Sequence, residues 1–144
     1  MPANPFRRYA ALVYDALLLI AVVFAATAAY LGVLVAAIDL EGAIPSDSPY
    51  SKGLAAWIAV VWVAYFAAFW HRAGYTPGMR TWKLKLVRAD GRALRYEDAL
   101  KRCAAAVLSA LPAGLGYWWA LWDAEKLTWH DRLSNTLIIR DPDI

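Results

Sequence analysis

Residues 9–38 form a continuous apolar run in which Asp15 is the only charged side chain. As a helix this run would be ~45 Å long, well above the ~30 Å hydrocarbon core of a bilayer. The run is also too long for the apolar core of a signal peptide, and no small-residue cleavage site stands out. We therefore predict a retained transmembrane helix over about residues 9–38.

A second apolar block, over about residues 54–71, is just long enough to cross a bilayer. The whole chain is 61% hydrophobic, whereas a soluble domain has about 45–50% apolar residues. A single domain of 144 residues cannot bury that much apolar surface, so the composition favours a lipid environment. With Cys103 as its one cysteine, the chain has neither an internal disulfide nor a multi-cysteine zinc site.

A polar and basic segment follows the second block. In RTWKLKLVRADGRALRY, apolar and basic residues alternate, and Asp90-Gly91 is a favoured hairpin turn. We therefore predict an antiparallel β-hairpin over about residues 80–96. Its cations form a candidate patch for anionic lipid, and an ordinary topology signal explains them equally well. The adjacent membrane makes nucleic acid the poorer partner. The patch consists of Arg80, Lys83, Lys85 and Arg88.

A third apolar segment, over about residues 98–122, is interrupted by LPAGLG, where Pro112 removes an amide donor and the glycines weaken the helix. Neither half alone can span ~30 Å. The segment is therefore either a re-entrant hairpin or a single kinked crossing. We favour re-entry, because a crossing would place the basic C-terminal tail on the other side of the membrane from the predicted hairpin.

The tail contains a short helix and a strand in this prediction, together covering about residues 128–140. Thr128 and Asp131 resemble a capping box, in which each side chain bonds the backbone of the other residue. Asn135 is suited to a left-handed helix end. The strand that follows it could add to the predicted hairpin, which would be marginal as two strands alone.

The charge distribution predicts the orientation. Lys52 is the only cation between the first two spans, where Asp39, Glu41 and Asp47 lie, whereas residues 71–102 are rich in Lys and Arg. The positive-inside rule then places the N-terminus and the hairpin in the cytoplasm. The expected fold is one mainly α membrane domain of 144 residues. It has two transmembrane helices, a broken third segment and a small cytoplasmic antiparallel β element.

Arg8 and Asp15 are seven positions apart, so they lie on nearly the same helix face, two turns apart. That separation is too large for a direct pair, but both could engage a third group, and Asp131 or Arg132 in the tail are candidates. A carboxylate at bilayer depth is a functional candidate by default. Asp15 is therefore a structural lock, a site for a proton or small cation, or an incidental interfacial residue. His130 is a proton-relay candidate, with a capping or exposed role as the alternative.

Three segments together resemble the RDD family of bacterial membrane proteins: RRYAALVYDALLL, YTPGMRTWKLKLVRADG and WALWDAEKLTWHDRLSNT. By this match, the arginine and two aspartates that name the family are Arg8, Asp15 and Asp131. The resemblance implies a multi-span protein of the bacterial inner membrane. It also implies a function that has been proposed for the family, the exchange of ions such as sodium for protons.

Two positions depart from the family pattern. Met79 stands where a lysine usually follows TPG, and Arg80 supplies the cation one position later. Asn135 replaces a glycine before the final threonine and can adopt the same backbone shape. Both departures keep the local chemistry roughly intact.

Two functions stay open. The first is a cation–proton exchanger, in which Asp15 binds sodium or another monovalent cation in exchange for a proton. Two crossing helices cannot enclose a pore, so this function requires a homo-oligomer. The second is a non-transporting accessory protein that docks on another membrane complex or on anionic lipid. It would use a stripe of small residues, Ala28, Gly32 and Ala36.

We expect neither enzymatic activity nor a cofactor. The sequence has no P-loop, no H-E-x-x-H and no G-x-S-x-G motif. His71 and His130 also lack the partner spacing of metal ligands.

Overall fold

The computed structural model describes residues 3–38 and 42–144. Within these residues the chain is mainly helical and carries one two-stranded antiparallel sheet, which confirms the predicted fold class. Asp39 and Glu41, which the predicted topology assigns to the first loop, lie outside the described residues. The elements in chain order are α1 (Pro5–Ile38), α2 (Pro49–Ala73), α3 (Pro77–Thr81), β1 (Leu84–Arg88), α4 (Tyr96–Ala110), α5 (Leu115–Trp118), a 3₁₀ turn (Trp119–Leu121), α6 (Trp129–Ser134) and β2 (Thr136–Arg140).

In the part of the chain that the structure describes, α1 and α2 are the helices that are individually long and apolar enough to cross a membrane. They contain 34 and 25 residues. Each begins a few residues before the predicted boundary, at a proline. Proline fits the first helical position because its φ is already helical and its missing N–H needs no partner there. Asn4 further supports the start of α1, since its Oδ1 accepts a 2.9 Å bond from the Phe6 amide.

The chain divides into two compact units, one formed by Met1–Ala16 and Phe66–Ile144 and the other by Leu17–Tyr65. In the second unit, α1 and α2 run antiparallel and are joined by side-chain bonds to backbone. The Tyr30 hydroxyl donates to the Tyr50 carbonyl at 3.0 Å, and the Trp57 indole donates to the Ala26 carbonyl at 3.0 Å. These bonds satisfy polar groups of the two aromatic side chains on otherwise apolar helices.

The sheet of the first unit is not the predicted hairpin. β1 pairs antiparallel with β2, so that Leu84 lies opposite Arg140 and Arg88 lies opposite Thr136. The predicted second arm of the hairpin, residues 92–96, contains no strand, and α4 begins at its end. The prediction of a hairpin over residues 80–96 was therefore wrong. The C-terminal strand supplies the partner instead.

Interactions around Arg88 explain why the chain turns into a helix after β1. Gly91 has a φ of +73° but Asp90 does not have a positive φ, and the chain turns one position earlier, with the Gly91 amide donating to the Arg88 carbonyl at 3.2 Å, so the predicted two-residue hairpin turn does not form. The Arg88 guanidinium then bonds the Asp98 carboxylate at 2.9 and 3.0 Å. Asp98 also accepts the Arg95 amide at 2.9 Å, which satisfies a free donor at the start of α4. The start of α4 thus places Asp98 where it pairs with Arg88. A second strand over residues 92–96 would lose this ion pair.

The broken third segment bends by 107° between Tyr96–Ala110 and Leu115–Leu121. Ala113 and Gly114 both have positive φ, at 52° and 75°, and they reverse the chain. After the bend, Gly116 packs directly against Ser109. A single crossing of this segment would place β1 and β2 on opposite sides of a bilayer, where they could not pair. The sheet therefore favours the re-entrant arrangement.

The contact between Gly116 and Ser109 gives a stability prediction. A Cβ on Gly116 would stand 2.7 Å from the Ser109 Cα, which is too close without a backbone shift. Gly116→Ala should therefore destabilise the protein by about 1–3 kcal/mol through overpacking. Thermal unfolding in detergent measures the effect.

The matched control is Gly32→Ala, since nothing lies within 4 Å of a Cβ at that position. Alanine is the better helix former, so this variant should be as stable as the wild type or slightly more stable. Equal melting temperatures for the two variants would contradict the close packing of α5 on α4.

Candidate functional site: a buried arginine–aspartate cluster

Asp131 lies between two arginines in the interior of the first unit. Its Oδ2 accepts a hydrogen bond from the Arg8 guanidinium, and its Oδ1 forms a 2.7 Å ion pair with Arg102. Arg8 comes from α1, Arg102 from α4 and Asp131 from α6. Arg102 and Asp131 are each 2% exposed. We call these three residues the arginine–aspartate cluster.

The local structure at the start of α6 fixes the position of Asp131 independently of the two arginines. The predicted capping box forms: the Thr128 Oγ1 accepts the Asp131 amide at 3.3 Å, and Asp131 Oδ2 accepts the Thr128 amide at 2.9 Å. At the other end of α6, Asn135 adopts the expected left-handed conformation, with a φ of 51°. The chain then enters β2. The short helix therefore holds the carboxylate rigidly at its first turn.

Each arginine uses its remaining donors on neutral groups. Arg8 bonds the Lys126 carbonyl at 3.0 Å, and Arg102 bonds the Thr136 Oγ1 at 2.8 Å. The Arg102 guanidinium also lies 5.4 Å from the centre of the Trp70 ring, a cation–π distance. Donors in these directions satisfy buried cations that a single carboxylate could not satisfy alone.

The two arginines set the ionisation of Asp131. Burial by itself would raise the pKa of this carboxyl, but the positive charges of Arg102 and Arg8 outweigh that effect. The pKa of Asp131 therefore lies well below its usual range, and the group is a carboxylate at neutral pH.

His130 lies beside the cluster without joining it as a cation. Its Nε2 is 4.0 Å from Asp131 Oδ1, and its ring is 4.7 Å from the Tyr117 ring. Burial and the nearby Arg102 lower the pKa of His130 to about 3, although Asp131 acts in the opposite direction. The imidazole is therefore neutral at physiological pH.

Asp15 occupies a separate place, at the start of α3. Its carboxylate accepts the Thr76 hydroxyl and, at 2.9 Å, the Gly78 amide. Thr76 is also the N-cap of α3, since its Oγ1 accepts the Met79 amide at 3.2 Å. A Cβ on Gly78 would stand 2.7 Å from Asp15 Cγ, so only glycine allows this approach. Asp15 therefore fastens α1 to residues 76–78, which we call the TPG segment.

The structure thus separates the residues that the sequence grouped together. Arg8 contacts Asp131, whereas Asp15 contacts Thr76 and Gly78 of the TPG segment. Arg132 lies outside the cluster and pairs with Asp123 at 2.9 Å, with its side chain 49% exposed. Arg8 and Asp15 therefore hold two different parts of the chain against one face of α1.

Three of the four residues of the predicted lipid patch have partners within the chain. Lys85 forms an ion pair with Asp141 at 3.2 Å, and Lys83 donates to a backbone carbonyl at 3.0 Å. Arg88 pairs with two carboxylates. Among the described residues, the exposed Arg80 side chain makes no ion pair or hydrogen bond. Within the patch, Arg80 is therefore the cation that remains available to an external anion.

Sequence reasoning missed Arg102, because it was counted with the basic residues that set the membrane orientation. A signal was present. Arg102 lies on the same helical stripe as the small or apolar residues Ala99, Cys103 and Ala106, all of which are buried in α4. A lone arginine on a buried stripe requires an anionic partner. Thr76 and Gly78 could not be recognised from the sequence as partners of Asp15, because neither residue is charged.

Two membrane-length helices, a bent third segment and a small sheet, joined by a buried cluster of opposite charges, define a small helical membrane protein. The RDD family matches the chain over residues 2–135. The chain therefore belongs to the RDD family, which confirms the resemblance found in its three segments. No curated protein and no solved structure shows significant similarity to it.

Removing one arginine of the cluster should be costly. Arg8→Gln leaves Asp131 and Arg102 buried with altered charge balance, and we expect a loss of about 3–5 kcal/mol in unfolding free energy. Arg132→Gln makes the same substitution in an exposed ion pair, and it should lower the unfolding free energy by about 0–1 kcal/mol. Denaturant unfolding in detergent measures both. Equal losses would show that burial of the Arg8 pair contributes nothing.

The lowered pKa of His130 predicts a pH dependence. The unfolded chain takes up a proton on this histidine near its ordinary pKa of 6.5, whereas the folded chain does so only near 3. Stability should therefore be greatest above about pH 6.5 and fall as the pH decreases toward 3, since the unfolded state then binds more protons. Melting temperatures measured from pH 7 to pH 4 test this.

His130→Phe should flatten the pH profile, because the titrating group is gone and a ring of similar size remains. His71→Phe makes the same ring replacement at an exposed histidine and is the matched control for the substitution itself. A wild-type profile that stays flat over this range would contradict the neutral, buried state of His130.

Proposed function

We propose that this RDD family member is a non-transporting accessory protein of the bacterial inner membrane, with its N-terminus in the cytoplasm, which docks on another membrane protein. One observation carries the proposal: the named family charges are matched inside the chain. Asp131 is matched by two guanidinium groups, and Asp15 by a hydroxyl and an amide. A set of groups that satisfy one another is suited to holding a fold together.

The surroundings of Asp15 argue against ion binding on the side that faces α3. A monovalent cation requires oxygen ligands whose lone pairs are available. The Thr76 hydroxyl and the Gly78 amide instead direct their hydrogens at the carboxylate. The backbone of Gly78 approaches so closely that even a methyl group would not fit there. An ion would have to displace α3 from α1 to bind on this side.

Exposed apolar surface supports docking in the membrane. Ala28, Gly32 and Ala36 are all exposed on α1, and small residues at this spacing allow close approach of a second helix. Lipid alone could cover this stripe. A partner helix packed on it would gain van der Waals contact that lipid chains make less well.

The cytoplasmic orientation rests on the distribution of cations. β1 and the segments on either side of it contain most of the basic residues, whereas Lys52, near the start of α2, is the one cation among the described residues 42–53. The positive-inside rule then supports a cytoplasmic position for the sheet and for the N-terminal residues. Ala3 donates to the Ile138 carbonyl at 2.7 Å, so these residues join the edge of β2.

Cation–proton exchange is the second candidate, and the burial of Asp15 favours it. This carboxylate lies in a membrane-length helix and is 3% exposed, a setting that often marks an ion pathway. Exchange of sodium or another monovalent cation for protons would require several copies of the chain, because two crossing helices do not enclose a pore.

Proteoliposomes distinguish the two functions. For an accessory protein, a sodium gradient should move no more protons in wild-type liposomes than in protein-free ones. For an exchanger, wild-type flux should exceed this background, Asp15→Asn should abolish it, and Asp47→Asn, which removes an exposed carboxylate, should retain it. Sodium-driven flux with that pattern would refute the accessory role.

Site-specific photocrosslinking in cells tests docking directly. A photoreactive residue in place of Gly32 should form an adduct with a different membrane protein, because this side of α1 is open. The same residue in place of Val33, which is also exposed on α1 but points about 100° away from Gly32 around the helix, is the matched control. Adducts formed only between copies of this chain would instead support the oligomer that exchange requires.

A further inference from the structure

An open groove with a volume of about 500 Å³ lies beside the end of α2. Its lining combines two aromatic rings, a proline, a threonine and a cation. The lining residues are Phe69, Tyr75, Pro77, Arg80, Thr81 and Ile144. The groove is therefore amphipathic, since an apolar wall faces a guanidinium group.

Arg80 is the feature of this groove that calls for a ligand. Its exposed side chain has no hydrogen bond or ion pair with any described residue, whereas Lys83, Lys85 and Arg88 each have a partner. A guanidinium can bind two oxygens of one phosphate through parallel N–H groups. Arg80 therefore retains this capacity where the neighbouring cations have used theirs.

The position of the groove suggests where such a phosphate would come from. Phe69 lies in the last turns of α2, which is long and apolar enough to cross a membrane and ends at Ala73. Arg80 follows in the next helix. Phe69 is thus four residues before the end of the apolar span, and Arg80 follows that end in the sequence. Phospholipids have the same order, with acyl chains first and a phosphate at the surface.

We propose that this groove binds one anionic phospholipid, with its phosphate on Arg80 and the start of an acyl chain against Phe69 and Pro77. The Tyr75 ring supplies a further apolar surface next to the glycerol region. Apolar walls would give a soluble phosphate no advantage, whereas a lipid gains contact along them. The site rests on the proposed membrane location and is independent of the accessory role, so either can fail without the other.

Native mass spectrometry of the full chain in detergent provides the test, with phosphatidylglycerol as the probe and phosphatidylcholine as the neutral comparison. The wild type should retain one phosphatidylglycerol in preference to phosphatidylcholine. Arg80→Gln should weaken phosphatidylglycerol binding by about tenfold or more, the effect of losing charge-assisted hydrogen bonds. Arg72→Gln removes an exposed cation outside the groove and should have little effect.

A groove-filling variant separates a defined site from general attraction to negative charge. Thr81→Trp keeps every charge but occupies the groove from its exposed position, so it should also abolish the preference for phosphatidylglycerol. Glycerol phosphate and inorganic phosphate should fail to compete at concentrations where the lipid binds.

Three outcomes would overturn the proposal. They are equal weakening by Arg80→Gln and Arg72→Gln, unchanged binding in Thr81→Trp, and full competition by inorganic phosphate. The first would indicate diffuse electrostatics, the second a site elsewhere, and the third an anion site that does not recognise lipid. Melting temperatures close to the wild-type value confirm that the variants are folded.

Discussion

The pairing of Asp131 with Arg8 and Arg102 is the interaction on which the first unit depends. It joins α1, α4 and α6, which come from the beginning, the middle and the end of the sequence. Removing three charges from water is expensive, and well-packed apolar residues are often at least as stabilising. What the charges add is selectivity: a helix placed in another register would leave a buried ion without a partner. The cluster therefore determines which helices meet and at which residues.

Asp15 adds a second fixed point to the same helix by a different kind of bond. Its partners are a hydroxyl and a backbone amide at the first turn of α3, where free N–H groups favour an anion. Two contacts seven residues apart on one face of α1 prevent the helix from rotating or sliding against its neighbours. The spacing that suggested a shared partner for Arg8 and Asp15 instead reflects two partners along one line.

Local rules predicted the features that are decided locally. The lengths of the apolar runs predicted both membrane-length helices. The capping pattern of Thr128 and Asp131 predicted the start of α6, and Asn135 predicted its end. The hairpin failed because strand pairing depends on distant residues: the alternating pattern around Leu84 indicated a strand but did not name its partner. The contacts of Asp15 were also beyond sequence reasoning, because backbone amides have no signature in a list of charged residues.

Formation of the arginine–aspartate cluster depends on the order in which the chain is synthesised. Arg8 and Asp131 are 123 positions apart in the sequence. During synthesis, Arg8 therefore exists long before the carboxylate that neutralises it, and its charge must stay hydrated until then. The segment that contains α6 and β2 brings both the carboxylate and the strand that joins Ala3 and β1. The contacts that join α1 to α4 and α6, and β1 to β2, can therefore form only after α6 and β2 have been synthesised.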